Sequence, residues 1–425
     1  MNTIYRLGRT GRDVWNNRVA ETPDRPFLNF QERRWTYREA DAEIRSIKSA
    51  LYAAGLRQGD SIVVGMANSA ATLFTQFAVR QLGAVLIPMV PDLGLSEMVY
   101  QVGHSEARFM MADDPLASLV LENRDQFPGL QTIVTVGPVR APATHGTVQL
   151  SALPTDGPGR DFEPLGVTGD TLSEIVYTSG STARPKGVML PAGAFVNGAF
   201  GYAERFGIGA DDSYLLPFTF GHATASIIGA GIPLLAGGQL TIVDRFSPSL
   251  FWSQVERYRI TKILLFPAQI NLLLDASQTP PKGTSTLDLV ITHEWIADFW
   301  EKSGIPMATT WGQTETGASG AGSPLGFRGD KGQGYIGRAY PDAELAAFDE
   351  ALVDKPRWLL LNKLDMLAED VARERVAAVT AALDWKAPWF ALSALAGEGT
   401  DAVCQQVMQA LDAMRAAERE AQENG

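Results

Sequence analysis

Cysteine is almost absent. Cys404 is the only one in 425 residues, so no internal disulfide can form and nothing in the chain requires an oxidising compartment. It falls in a helical pattern and reads as a buried structural thiol. Positive charge is also short. Lysine and arginine total 36 against 48 acidic residues, a formal net charge of -12. That argues against a nucleic-acid partner held by bulk charge and leaves any anionic substrate dependent on a local site. Uninterrupted apolar runs are missing too. The least charged stretch, Ala225 to Val243, is broken by Gly229, Gly231, Pro233, Gly237 and Gly238, so it reads as a helix, a turn and a buried strand, with no transmembrane segment. The first residues, Met1 to Arg9, carry charge with no apolar core behind them, unlike a secretory signal, and a cytoplasmic location is the expectation. No internal repeat is present. Nor is there any Gly-Lys dipeptide, which excludes the Gly-x-x-x-x-Gly-Lys-Ser/Thr phosphate loop.

What the chain does have is material for a sizeable core, with 45% hydrophobic and 20% charged residues, enough for two or three globular units. Apolar spacing predicts a helix over 40–54, a strand over 61–66, a helix over 71–83 and a strand over 84–89, the rhythm of a parallel α/β sheet. Pro138 to Gly169, rich in Pro, Gly and Thr, reads as a surface connection between subdomains. After about Asp342 the pattern predicts a strand over 357–361, a helix over 368–383, a strand over 389–393 and a helix over 401–420, a βαβα fragment.

Tyr177 to Gly187 reads Tyr-Thr-Ser-Gly-Ser-Thr-Ala-Arg-Pro-Lys-Gly and follows an apolar run. Glycines let backbone N–H groups approach phosphate oxygens, hydroxyls add donors, and the Lys186 ammonium offsets charge on the outer phosphates. A triphosphate cradle is the chemistry that this composition suits.

The loop resembles the signature of the adenylate-forming superfamily of acyl-CoA synthetases, luciferases and peptide-synthetase adenylation domains. The resemblance spans residues 1–342 and is carried further by Trp35 to Glu39, Leu56 to Asp60, Gly83 to Pro88, the segment Trp311-Gly312-Gln313-Thr314-Glu315, and Gly337 to Pro341. It implies that Thr178, Ser179, Gly180, Ser181, Thr182 and Lys186 hold the outer phosphates of ATP. Trp311, Gly312 and Gln313 would border the nucleotide, Thr314 would meet the α-phosphate, and Glu315 would bind Mg²⁺. The reaction implied joins a small-molecule carboxylic acid to AMP and then to CoA, with Thr314, Glu315 and Lys186 as the catalytic groups. Three departures stand out. Where relatives turn against adenine, Leu289 to Trp295 runs straight into a helix. Phe220 stands where many relatives have histidine, with His222 two residues later; His222 could line an acyl pocket, although a lone histidine is more often structural. Residues 343–425 carry no lysine in the context that the superfamily uses for adenylation, so a catalytically impaired ligase is expected.

Residues 343–425 instead resemble the end of an Obg-type GTPase, a partial βαβα Rossmann-like fragment. Asn362-Lys363-Leu364-Asp365 and Ser393-Ala394-Leu395 carry that resemblance. It implies that Asp365 accepts from the guanine edge, Asn362 and Lys363 brace the base, and Ser393, Ala394 and Leu395 border its O6. Without a phosphate loop, GTP binding is expected to be weak at best and GTPase activity is not expected. A regulatory guanine-binding remnant and a non-catalytic fusion are the alternatives to a ligase.

Overall fold

The computed structural model describes residues 10–178, 184–275, 280, 282–318, 320–323, 338–339, 359–362, 369–382, 386 and 389–392. Two units are formed, residues 1–337 and 338–425.

The first unit contains two sheets. Its elements in chain order are α1 (Gly11–Glu21), β1 (Pro26–Phe30), β2 (Arg33–Thr36), α2 (Tyr37–Ala53), β3 (Ser61–Gly65), α3 (Ala70–Gln81), β4 (Val85–Pro88), α4 (Leu95–His104), β5 (Phe109–Asp113), α5 (Leu116–Glu122), β6 (Thr132–Val136), β7 (Thr147–Gln149), β8 (Leu172–Thr178) and β9 (Lys186–Pro191). There follow α6 (Ala192–Arg205), β10 (Ser213–Leu216), a π-helical segment Thr224–Gly229, α7 (Ala230–Ala236), β11 (Gln239–Ile242), α8 (Pro248–Arg257), β12 (Lys262–Leu264), α9 (Pro267–Asp275), β13 (Leu289–Thr292), α10 (Ala297–Ser303), β14 (Met307–Gly312) and β15 (Gly320–Gly322). One sheet has the order β7-β6-β5-β3-β4-β8-β9 and is parallel except for the β8–β9 hairpin. The other runs β15-β14-β13-β12-β10-β11-β1-β2, parallel through its centre with an antiparallel pair at each end. The α/β class with mixed, largely parallel sheets agrees with the sequence reading.

Alternation along the strands places the helices. Met110 of β5 packs with α4 and α5 around Val63, Ile87, Met98 and Leu116, whereas its neighbour Met111 turns the other way, its sulfur 3.8 Å from the Thr75 hydroxyl of α3. In the second sheet Leu215 joins Phe251, Trp252, Ile270 and Phe299 from α8, α9 and α10, while Leu216 faces the π-helical segment. Every residue of α3 except Ala71 is buried, its polar members Thr72, Thr75, Gln76, Arg80 and Gln81 included. The superfamily-like segments are caps and turns. Thr36 accepts from Glu39 N (3.2 Å) and Glu39 accepts from Thr36 N (2.8 Å), a capping box that satisfies two N-terminal donors of α2. Gly59 and Gly83 supply left-handed turns at φ 80° and 65°.

Two expectations change. The connection 138–169 adds the strand β7 and then packs onto α2. Ser49 Oγ accepts from Gly157 N (2.8 Å), and the rings of Tyr52 and Phe162 lie 5.1 Å apart. Pro/Gly content signals turns, not whether the turns pack. Secondly, β13 does not run straight into α10. A link, 293–296, intervenes, with His293 and Glu294 exposed.

In the second unit, strands Leu359–Asn362 and Trp389–Leu392 pair in parallel, Asn362 opposite Leu392, with helix Glu369–Ala382 between them in sequence. The predicted helix over 401–420 and Cys404 lie outside the described residues. No described helix is long and apolar enough to cross a membrane.

Candidate active site

Both segments singled out in the sequence adjoin antiparallel strand pairs. The phosphate-loop segment joins β8 to β9, with Thr178 paired opposite Lys186; Ser179, Gly180, Ser181 and Thr182 lie outside the described residues. Trp311 to Glu315 leaves β14 and enters a 3₁₀ turn, Thr314–Thr316, before β15 returns with Ala321 opposite Trp311. Thr316 fixes that turn, its hydroxyl accepting from Gln313 N (3.1 Å) and donating to Gln313 O (2.9 Å). Gly317 and Ala318 follow at φ 65° and 61°, left-handed values that glycine adopts freely and alanine only under constraint. The constraint comes from Gln313 O, which accepts from Ala318 N at 2.8 Å.

The two hairpins approach one another because β9 runs on into α6, which passes beneath the 3₁₀ turn. A Cβ on Gly198 of α6 would sit 2.6 Å from Gly317 O, so only glycine allows that approach. A cleft of about 410 Å³ results, bordered by Thr178, Gly312, Gln313 and Thr314. Trp311, Lys186 and Glu315 are exposed and do not line it. Among the described residues no group of three His, Cys, Asp or Glu side chains is placed to hold a metal. Asn362 belongs to the second unit, at a strand end; Lys363, Asp365, Ser393, Ala394 and Leu395 lie outside the described residues.

The remaining walls come from loops that local patterning does not connect. Phe218 packs on Phe266 (4.6 Å between ring centres), and Phe266 meets His293 edge-on at 5.0 Å. His222 lines the same cleft, the less common of the two roles open to it in the sequence. Both imidazoles face the cleft's water, yet the surrounding protein disfavours the charged form and holds each below its ordinary pKa. Across the cleft, Tyr177 donates to Gln101 O (3.1 Å), and burial pushes its phenol up to about 12.

These walls are pinned from the other sheet. Asn68, at the end of β3, donates to Phe218 O (2.7 Å) and Val243 O (3.3 Å) and accepts from Phe220 N (3.1 Å). Gln76 donates to Phe220 O at 3.1 Å. Behind them Glu174 of β8 is buried, paired with Arg80 at 2.8 Å and accepting from the Ser226 hydroxyl at 2.6 Å. That contact ties β8 to the π-helical segment whose first residue, Thr224, lines the cleft. Asn68 carries no signal in the sequence beyond its place just after a predicted strand.

The model of the AMP-binding enzyme family matches residues 15–358. A crotonobetaine/carnitine–CoA ligase of Salmonella enteritidis is 24% identical over 320 residues, 73% of this chain and 62% of the ligase. A medium-chain fatty-acid–CoA ligase of Escherichia coli is 25% identical over 315 residues, 72% of this chain and 55% of that protein. The chain therefore spans about 55–62% of the length of these curated relatives. Among solved structures, an anthranilate–CoA ligase with anthranoyl-AMP superposes with a TM-score of 0.70 at 18% identity, covering 79% of this chain and 65% of that one. A Bacillus subtilis O-succinylbenzoate–CoA synthetase with ATP and magnesium gives 0.63 at 19%, covering 77% and 65%.

Proposed function

The chain belongs to the AMP-binding enzyme family, and from that premise we propose that it binds Mg·ATP and activates a small-molecule carboxylic acid as its adenylate for transfer to CoA. The observation that carries this reading is the meeting of the Thr178 and Gly312–Thr314 turns on one cleft. Hydroxyl and backbone donors converge there where phosphate charge would develop. Ser179, Gly180, Ser181 and Thr182 would extend the cradle, with Gly312, Gln313 and Thr314 beside the nucleotide. Lys186 and Glu315 flank it from the exposed sides of their hairpins, an ammonium for phosphate oxygens and a carboxylate for one Mg²⁺ whose other ligands would be phosphate and water. In the reaction a substrate carboxylate oxygen attacks the α-phosphorus and pyrophosphate leaves. A thiol sulfur then attacks the acyl carbon and AMP leaves. The names of the ligases that the chain resembles favour CoA as that thiol. As residues 343–425 offer no lysine in an adenylating context, these 425 residues are proposed to turn over slowly.

A second reading concerns the second unit. The parallel pairing that sets Asn362 opposite Leu392 brings the two guanine-type segments out of neighbouring strand ends. This favours a remnant of an Obg-type guanine site using Asn362, Lys363, Asp365, Ser393, Ala394 and Leu395, with weak GTP affinity.

One thermal-shift experiment tests both. Mg·ATP at about 100 times its Kd stabilises by roughly 2.7 kcal/mol. Lys186→Ala and Glu315→Gln are each expected to reduce that shift with little change in the ligand-free melting temperature. GTP is expected to give a far smaller shift, lost in Asp365→Asn. A parent protein indifferent to millimolar Mg·ATP overturns the ligase reading, and a GTP shift exceeding that of ATP reverses the ranking.

A further inference from the structure

We propose that the acid taken by this cleft is a monocarboxylic acid with an uncharged, ring-sized body, and that acids carrying a second anionic group are selected against. The proposal rests on the adenylation reading above and names the substrate class of the same site.

The walls away from the nucleotide turns supply the argument. Phe218, Phe266 and His293 form a continuous run of ring contacts, at 4.6 Å and 5.0 Å, a surface suited to the face or edge of a planar group. His222 and His293 open into the cleft, and neither ring is hydrogen-bonded among the described residues. Partial desolvation disfavours the charged form of both. A neutral imidazole offers one donor and one acceptor, which matches a hydroxyl, amine or carbonyl but lacks a charge to set against a carboxylate. Among the described residues lining the cleft there is no lysine or arginine, and the one acidic side chain is Glu97. Among the described residues that line the cleft, a second anion on the substrate would thus meet one like charge and no opposite one. Lys262 is occupied elsewhere by Asp212 and Asp288, and Arg80 by Glu174. Selection here works by withholding a partner, which penalises the charged competitor more than any added contact rewards the neutral acid.

The test uses the full chain with Mg·ATP and two size-matched pairs, 4-hydroxybenzoate against terephthalate and hexanoate against adipate, read by pyrophosphate exchange. In each pair the monoacid is expected to have the higher kcat/KM by about tenfold or more, with 4-hydroxybenzoate ahead of hexanoate. His222→Arg is expected to raise terephthalate relative to 4-hydroxybenzoate, and His293→Lys repeats the test where the first variant fails to fold. Diacids used as well as monoacids by the parent, or an unchanged ratio in both folded variants, overturn the proposal. If no acid supports exchange, the adenylation reading falls, and calorimetry of the same four acids decides the inference alone. Preferential binding of the monoacids sustains it, and equal or absent binding overturns it.

Discussion

Arg80 and Glu174, each with a side chain only 4% exposed, show what a single buried pair does in this fold. Arg80 also donates to Ser226 O (3.2 Å) and lies 4.9 Å over the Phe195 ring, but its Nη1 has no partner. Removing one member strands the other charge, which costs about 3–5 kcal/mol. Arg80→Met should therefore destabilise by that order in denaturant titration, whereas the double variant Arg80→Met/Glu174→Leu, which strands no charge and leaves only the Ser226 hydroxyl without its acceptor, should recover part of the loss. A single variant within about 1 kcal/mol of the parent, or a double variant worse than the sum of the singles, would show that the pair is not held as described. The residue most exposed to such an error in sequence reading is Glu174. Nothing in its neighbours announces that a glutamate in a short strand is buried, because its partner stands in α3, far away in the chain.

At the level of elements, the clearest dependence on one atom is at Gly221. A Cβ there would stand 2.6 Å from Val90 N and 2.8 Å from the Met89 carbonyl carbon, backbone atoms that cannot rotate aside. Gly221→Ala should push the 218–222 segment off the end of β4, destabilise by about 1–3 kcal/mol and raise the KM for the acid more than that for ATP. Gly209→Ala, with nothing within 4 Å, is the control expected to leave both unchanged; equal effects of the two substitutions would refute the close-approach account. The same elements mark how far the sequence could be read. The helix predicted over 40–54 is α2 (Tyr37–Ala53), and Ala225 to Val243 resolves as a π-helical segment, α7, a left-handed Gly237 and β11. Such features are local, a periodicity or a cap. Thr178 and Gly312 to Thr314 were legible for the same reason, since each motif is contiguous. Their meeting was not legible, because it depends on Gly198 passing under Gly317. Neither was the Phe218–Phe266–His293 wall, assembled from three separate loops and held by Asn68.

For the whole molecule, titration ties the cleft to stability. His222 and His293 have folded pKa values below the ordinary 6.5 because burial opposes their charging. The unfolded chain therefore binds protons near pH 6.5 that the folded chain refuses, and stability falls as pH drops through that region, levelling off once the folded groups are also protonated. Carboxylates act in a separate, lower window. Asp24 is held below 3.8 by Arg38, Asp114 by Ser118 and Arg140, and Glu39 below 4.5 by the Thr36 cap. Burial pushes Asp212 up, but Gly209, Thr261 and Lys262 outweigh it and leave it lowered. Their stabilisation is present above the ordinary carboxylate range and is lost as pH falls through the folded values; Asp113, raised by burial, works in the opposite sense. Melting temperatures measured from about pH 7.5 down to about 3.5 should thus decline in two stages. The double variant His222→Gln/His293→Gln should flatten the upper stage and leave the lower one in place. A parent curve flat down to about pH 5, or a double variant with the parent's slope there, would show that the two imidazoles are not kept neutral by the fold. The chemistry assigned to the walls of the cleft would then need a charged histidine in place of a neutral one.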